Sequence, residues 1–207
     1  MVRYAAGDLR AFTTLYARYR VSLYRYLARQ TRNAESASDL FQEVWSRVIA
    51  HRSQYEPRAP FRTFLFRIAH NCFIDHQRRA ALRPSVQEPS DDSPERVHER
   101  IAAPASDGPE AQSEQSELLS RYRAALDALP VEQRDAFLLY EQSGLPLSEV
   151  AAITGVGVET AKSRVRYALA KLRVALASEW QQRPRTRPTR GAVRRLRARR
   201  LLLQGSD

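Results

Sequence analysis

Apolar residues in the first eighty positions recur every three or four places. Phe12, Leu15, Tyr16, Tyr19, Leu23, Tyr26 and Leu27 lie on one face of a helix turning every 3.6 residues, with an Arg-rich face opposite. The pattern predicts three amphipathic helices, roughly Asp8 to Gln30, Ala34 to His51 and Pro60 to Ala81. Strict apolar–polar alternation is rare and hairpin dipeptides such as Asn-Gly are missing, so strands are not expected and an all-α chain is. In the third helix Phe61, Leu65, Ile68 and Cys72 form the expected core stripe. Phe64 and Phe66 are core candidates too, since aromatics at such spacing are more often buried than used as stacking platforms.

From about position 117 the period resumes. A helix from Glu117 to Ala128 stops at Pro130, which suits the first turn of the next, Val131 to Ser143. Leu147 to Thr154 reads as a short helix and Gly155-Val156-Gly157 as a tight turn. Val158 to about Glu179 reads as a longer helix with Val158, Ala161, Val165, Leu169 and Leu172 on its buried face. Two helices joined by a Gly turn make a helix-turn-helix. Its second helix would then present Glu159, Thr160, Lys162, Ser163, Arg166 and Tyr167 outward, while Arg164, Lys171 and Arg173 flank phosphates. An ordinary solvated charged face on a helical hairpin is the alternative.

Between these modules the periodicity lapses. Residues 84–117 hold 2 Arg against 9 acids, with Pro84, Pro89, Pro94, Pro104 and Pro109, a composition that reads as a flexible acidic linker. The expected organisation is a helical bundle over 1–83, a linker over 84–116, a helix-turn-helix module over 117–182 and an Arg-rich tail over 183–207. The tail carries 9 Arg against Asp207; its Arg-Pro-Arg-Thr-Arg-Pro start cannot be helical, though Ala192 to Leu203 can form a short basic helix on a polyanion.

Charge sharpens the functional reading. The 207 residues carry a formal +11, from 34 basic and 23 acidic side chains, which points to a polyanionic partner, nucleic acid first. Neither G-x-G-x-x-G nor G-x-x-x-x-G-K-[ST] occurs, so nucleotide-dependent chemistry is not expected, and no cofactor is. A lone cysteine, Cys72, excludes intramolecular disulfides and cysteine-rich zinc sites. His70, Asp75 and His76 could suggest a metal-dependent nuclease, but at 100° per residue they point about 120° apart around one helix and cannot converge, so no metal site is expected. With no signal-peptide core and no apolar run near the roughly 20 residues that span a bilayer, a cytoplasmic protein without membrane insertion is expected.

Two blocks carry a family resemblance. Asp39-Leu40-Phe41-Gln42-Glu43-Val44-Trp45 resembles the D-L-x-Q-E-V-[FW] motif, and Phe61-Arg62-Thr63-Phe64-Leu65-Phe66-Arg67-Ile68-Ala69-His70-Asn71 the F-R-x-W-L-x-x-I-A-x-N block, of the extracytoplasmic-function, or group IV, sigma factors of bacterial RNA polymerase. Leu147-Ser148-Glu149-Val150-Ala151 followed by Thr160-Ala161-Lys162-Ser163-Arg164-Val165 is similar to that family's C-terminal helix-turn-helix. Phe64 stands where Trp is commoner and Ala161 where Val is, both keeping apolar character.

The resemblance implies a sigma-two-like bundle and a sigma-four-like helix-turn-helix, and a non-enzymatic factor that directs transcription initiation. Asp39, Leu40, Gln42, Glu43 and Ser46 would dock on the clamp coiled coil of the polymerase β′ subunit; Asp39, Gln42, Glu43 and Ser46 form one polar stripe at i, i+3, i+4 and i+7, while Leu40, Phe41, Val44 and Val48 can be buried. Arg62, Arg67, Asn71, Arg78 and Arg79 would meet the minus-ten element. Thr160, Lys162, Ser163, Arg164, Arg166, Tyr167 and Lys171 would meet the minus-thirty-five element. Implied partners are core RNA polymerase through β′ and β, promoter DNA and an anti-sigma factor. The acidic linker would thread the polymerase cleft, or serve as a plain tether. A stand-alone helix-turn-helix regulator is the alternative function.

Overall fold

The computed structural model describes residues 1–57, 59–82 and 109–180, with side chains described from 116 to 177 in the last stretch. Among the described residues every regular element is helical. These are α1 (Val2–Ala5), α2 (Leu9–Thr31), α3 (Ala34–Ala50), a 3-10 turn (Arg52–Gln54), α4 (Phe61–Leu82), α5 (Pro109–Asp127), α6 (Val131–Glu141), α7 (Leu147–Thr154) and α8 (Val158–Trp180). The acidic stretch up to residue 108 and the Arg-rich tail, with the short basic helix read from the sequence at Ala192 to Leu203, lie outside the described residues.

Local chemistry sets the helix ends. Asp8 caps α2, its Oδ1 accepting from the amides of Arg10 at 3.0 Å and Ala11 at 3.2 Å, and the Asn33 side chain caps α3 by accepting from Ser36 at 2.9 Å. Between them Arg32 takes a left-handed conformation, φ 61°, closing α2 so that α3 can fold back. Gly155, φ 69°, does the same for α7 and makes the turn of the helix-turn-helix.

Helices α2, α3 and α4 pack around Leu23, Tyr26, Leu27, Leu40, Val44, Leu65, Ala69 and Cys72. The N-terminal half of α2 is held sideways, with Phe12 edge-on to Trp45 at 5.6 Å. Its C-terminal half is buried almost all round, at Leu23, Tyr24, Tyr26, Leu27, Ala28 and Gln30, because α3, α4 and α6 all meet it. The buried stripe of α8 is Ala161, Val165, Ala168 and Leu172, four positions the 3.6-residue period brings into line.

Three sequence expectations change. Helix α5 begins at Pro109, inside the stretch assigned to the linker: Pro109 fits a first helical turn, and the Glu, Gln, Ala and Ser that follow contain no breaker. Helix α1 has no counterpart in the expected elements. Val158, in the first turn of α8, remains 47% exposed, whereas the unexpected Ala168 is wholly buried.

Within Met1–Ala175 the helices form one compact unit. Inside it α4 packs on α7 and α2 on α6, so the bundle and the helix-turn-helix share a continuous apolar cluster.

Candidate nucleic-acid interface

On α3 the structure leaves Asp39, Gln42 and Ser46 exposed in a row. Glu43 is half-buried and turned toward α4: its carboxylate pairs with Arg47 at 2.5 Å and lies 3.9 Å from the Arg79 guanidinium. Arg47 in turn reaches Asp75 at 3.7 Å. Glu43 is thus a bridging residue between α3 and α4. Leu40, grouped with the docking residues from the motif alone, is only 2% exposed and belongs to the core; period-3.6 geometry puts it beside Val44 on the inward face, away from the polar stripe.

The minus-ten candidates divide by position on α4. Arg67, Asn71 and Arg78 are exposed and fall on one stripe, at i, i+4 and i+11. Arg62 points elsewhere, donating from Nη1 to the Gly144 carbonyl at 3.4 Å, and Arg79 bends back over α4 to the Asp75 carbonyl at 3.2 Å. Both remain exposed, though neither shares the Asn71 stripe. Beneath it Phe66 is 1% exposed, and Phe64 is half-buried edge-on to Tyr55 at 5.1 Å.

Cys72 sits on the opposite, buried side of α4, and burial pushes its thiol up to about 11. Three pH units below that, about one molecule in a thousand carries the reactive thiolate. Native protein is therefore expected to resist iodoacetamide at pH 8 and to react quickly once denatured. Equal rates in the two states would refute the assigned packing of α4.

On α8 Thr160, Lys162, Arg166, Tyr167 and Lys171 are exposed, and Ser163 and Arg164 half-buried. Arg166 lies across the axis from the Ala161–Val165–Ala168–Leu172 stripe, and its guanidinium stacks 5.2 Å from the Tyr167 ring centroid. Lys162 is 3.8 Å from Glu159. A helix whose inward stripe is built of small and branched apolar groups and whose outward one carries Lys, Arg and Tyr can lie in a major groove.

One cluster has no counterpart among the expected site residues. Asp135 of α6, 4% exposed, accepts at Oδ1 from the Tyr26 hydroxyl and from Gln30 Nε2, each at 2.6 Å. Its Oδ2 lies 2.8 Å from His70 Nδ1, a close contact without the alignment of a hydrogen bond. The neighbouring Arg134 donates from Nε to Gln30 Oε1 at 3.2 Å. Burial first, and then the Asp135 charge, push the Tyr26 hydroxyl well above its ordinary range and keep it a donor. The signal available in the sequence was Arg134-Asp135 placed against the run Ala136-Phe137-Leu138-Leu139, since a helix apolar on every side is buried on every side and must pair any charge it carries. His70 therefore faces the helix-turn-helix module while Asp75 faces Arg47, which separates two of the three residues of the metal reading.

The fold and these surfaces define a protein of the helix-turn-helix DNA-binding class with a helical bundle packed against it at its N-terminal end. Residues 15–83 match the family description "Sigma-70 region 2", and residues 119–172 match "Sigma-70, region 4". Over 85% of its length the chain is 31% identical to "RNA polymerase sigma factor CarQ" of Myxococcus xanthus, of which it covers 95%. Over 84% it is 34% identical to "ECF RNA polymerase sigma factor SigE" of Mycolicibacterium smegmatis, and it covers 65% of that protein. The sigma factor RpoE from Bartonella quintana, solved in complex with the anti-sigma factor NepR, shares the fold at TM-score 0.60 and 20% identity, over 82% of this chain and 98% of that one. The chain belongs to the sigma-70 family, in its extracytoplasmic-function group. It is a transcription initiation factor that joins core RNA polymerase and directs it to promoters, and the stand-alone regulator reading is not favoured.

Proposed function

We propose that the three surfaces divide the work of initiation. The exposed row Asp39, Gln42 and Ser46 docks on the β′ clamp, with Glu43 holding α3 to α4 behind it. The stripe Arg67, Asn71 and Arg78 meets the minus-ten element, where arginines neutralise phosphates and the Asn71 amide captures a base that has left the stack. Arg62 and Arg79 are adjacent cations that join this surface by swinging out from Gly144 and Glu43. Thr160, Lys162, Ser163, Arg166 and Tyr167 read the minus-thirty-five element, with Arg164 and Lys171 on its phosphates. The observation that carries the reading is the partition of α8: one fully buried stripe, and across the axis an Arg–Tyr pair with no structural duty in the core. The β subunit and an anti-sigma factor complete the proposed partners, and the proposed setting is the cytoplasm. Among the described residues no helix is long and apolar enough to cross a membrane.

Run-off transcription with purified core polymerase on genomic fragments tests the whole. The expected result is discrete transcripts that appear only when this protein is added; their absence from every fragment would refute the assignment. Within that assay Asn71→Ala is expected to leave polymerase binding intact and to reduce open-complex formation about tenfold or more, the loss of one good base contact of roughly 1–3 kcal/mol. Permanganate reactivity of minus-ten thymines reads it, and unimpaired melting on duplex promoter would remove Asn71 from the site.

A further inference from the structure

Helix α4 carries a second face that none of the three proposed surfaces uses. Phe73, His76, Gln77 and Ala80 fall at i, i+3, i+4 and i+7, one stripe of a helix turning every 3.6 residues, and they line a cavity of about 300 Å³. The end of α2 contributes Arg32 to it, and the start of α6 contributes Val131 and Arg134. That volume lies at the lower end of the range that holds small organic ligands.

The polar groups available in the cavity are donors. Arg134 is 2% exposed; its Nε donates to Gln30 Oε1 at 3.2 Å and its Nη2 to the Gln30 carbonyl at 3.4 Å, while its buried Nη1 has no hydrogen-bond partner. A guanidinium carries five N–H groups and no acceptor, so what Nη1 lacks is an oxygen. Asp127 Oδ1 is shared between two arginines, 2.9 Å from Arg32 Nε and 3.9 Å from Arg134 Nη1. Asp135 is occupied by Tyr26, Gln30 and His70. Burial first, and then the Arg32 charge, push the Arg134 guanidinium below its ordinary range, and Asp127 and Asp135 offset them only in part. His76 and Gln77, both half-buried, add an imidazole and an amide. Helix α6 starts here without a side-chain cap, so its first amides add a partial positive charge; Glu132 of that turn is exposed and does not line the cavity.

Two guanidinium groups, one of them short of an acceptor, match a ligand that brings several oxygens and more than one negative charge. A phosphate group does so, with a charge of about −1.5 to −2 at pH 7 and three acceptor oxygens that arginine forks fit bidentately. A carboxylate brings one charge and two oxygens. Phe73, 1% exposed, lines the cavity together with Val131 and Ala80, and these apolar walls suit a small organic body attached to the phosphate.

We propose that this cavity binds a small phosphorylated molecule, a phosphate monoester held by Arg32 and Arg134 with His76 and Gln77 beside them, its phosphate taking the place of the Asp127 carboxylate. The site lies apart from the docking, minus-ten and minus-thirty-five residues and involves neither polymerase nor DNA, so it stands or falls independently of the roles proposed for them.

Isothermal titration calorimetry and thermal melting of the full chain test it, with phenyl phosphate and inorganic phosphate as probes and benzoate as control, all at constant ionic strength. Phenyl phosphate should bind one-to-one and raise the melting temperature, since a ligand that binds only the folded state stabilises it. Inorganic phosphate should bind more weakly and benzoate hardly at all. Arg32→Gln, at an exposed position, should weaken phenyl phosphate about tenfold or more, the loss of one charge-assisted hydrogen bond. Asp127→Asn should tighten it about threefold, because the ligand no longer has to break a half-exposed ion pair. Arg134→Met should abolish binding; should that variant fail to fold by circular dichroism, the opposite shifts at Arg32 and Asp127 carry the test alone. Equal affinity in wild type, Arg32→Gln and Asp127→Asn would place the anion on the general basic surface and overturn the proposal. Benzoate binding as tightly as phenyl phosphate would overturn the phosphate assignment, and inorganic phosphate doing so would overturn the monoester.

Discussion

Asp39→Arg combined with Gln42→Arg is expected to cut affinity for core RNA polymerase roughly a hundredfold or more while leaving the melting temperature nearly unchanged. Both side chains are exposed on α3 and hold no partner that the fold depends on, so the folding cost of replacing them is typically within about 0.5 kcal/mol. At a docking surface the same change sets two cations against a partner chosen for acidic groups. Like-charge juxtaposition costs several kcal/mol, and each 1.4 kcal/mol is a tenfold loss. Glu43 is the wrong residue for this experiment. Its carboxylate sits between Arg47 and Arg79, so an arginine there would place three cations together and confound docking with stability. Surface plasmon resonance against core polymerase, beside thermal melting, reads both halves. Undiminished affinity in the double variant would refute docking through this stripe. The isolated promoter-binding step at the minus-thirty-five element should be unaffected.

Arg166→Ala combined with Tyr167→Ala is expected to lower affinity for minus-thirty-five duplex by about ten- to a thousandfold and to flatten discrimination between sequences more than it lowers non-specific binding. Each good base contact is worth roughly 1–3 kcal/mol of discrimination, whereas loss of a phosphate contact weakens all sequences alike and reduces the salt slope by about 0.9. The two are replaced together because the guanidinium stacks on the ring and each orients the other. Neither contributes to the stripe formed by Ala161, Val165, Ala168 and Leu172, so the variant should fold. Competition binding with matched and scrambled duplexes separates the outcomes. An equal loss on both would mean that this pair contacts backbone only, and no loss on either would move the reading face to Thr160 and Lys171.

The helical class, most helix limits and the candidate surfaces were legible in the chain because they depend on short-range rules. Asp8 and Asn33 announce helix starts through side chains that reach amides two or three residues on, and Gly155 announces a turn through backbone freedom. The α3 stripe and the two faces of α8 follow from a period that needs no knowledge of the partner helix. Leu40 shows where the motif and the period part: the motif groups it with the docking residues, the period of its helix allows it to be buried, and it is buried. Helix α5 shows another limit. A Pro- and acid-rich composition reads as a linker until the last proline becomes a helix start.

By itself, then, the sequence determined that this protein is helical, that it carries a bundle, an acidic stretch and a helix-turn-helix, and which faces are polar, because periodicity, capping and composition act within a turn or two of the chain. Only the tertiary structure decided the roles of Asp135, Arg134, Tyr26, Gln30 and His70, and the division of the α4 arginines into an outward stripe, one facing Gly144 and one facing Glu43. These depend on contacts between residues about 65 to 110 positions apart, or between neighbouring helices. A buried carboxylate, unlike an apolar side chain, is tolerated only where specific donors meet it, and no local pattern encodes which donors those will be.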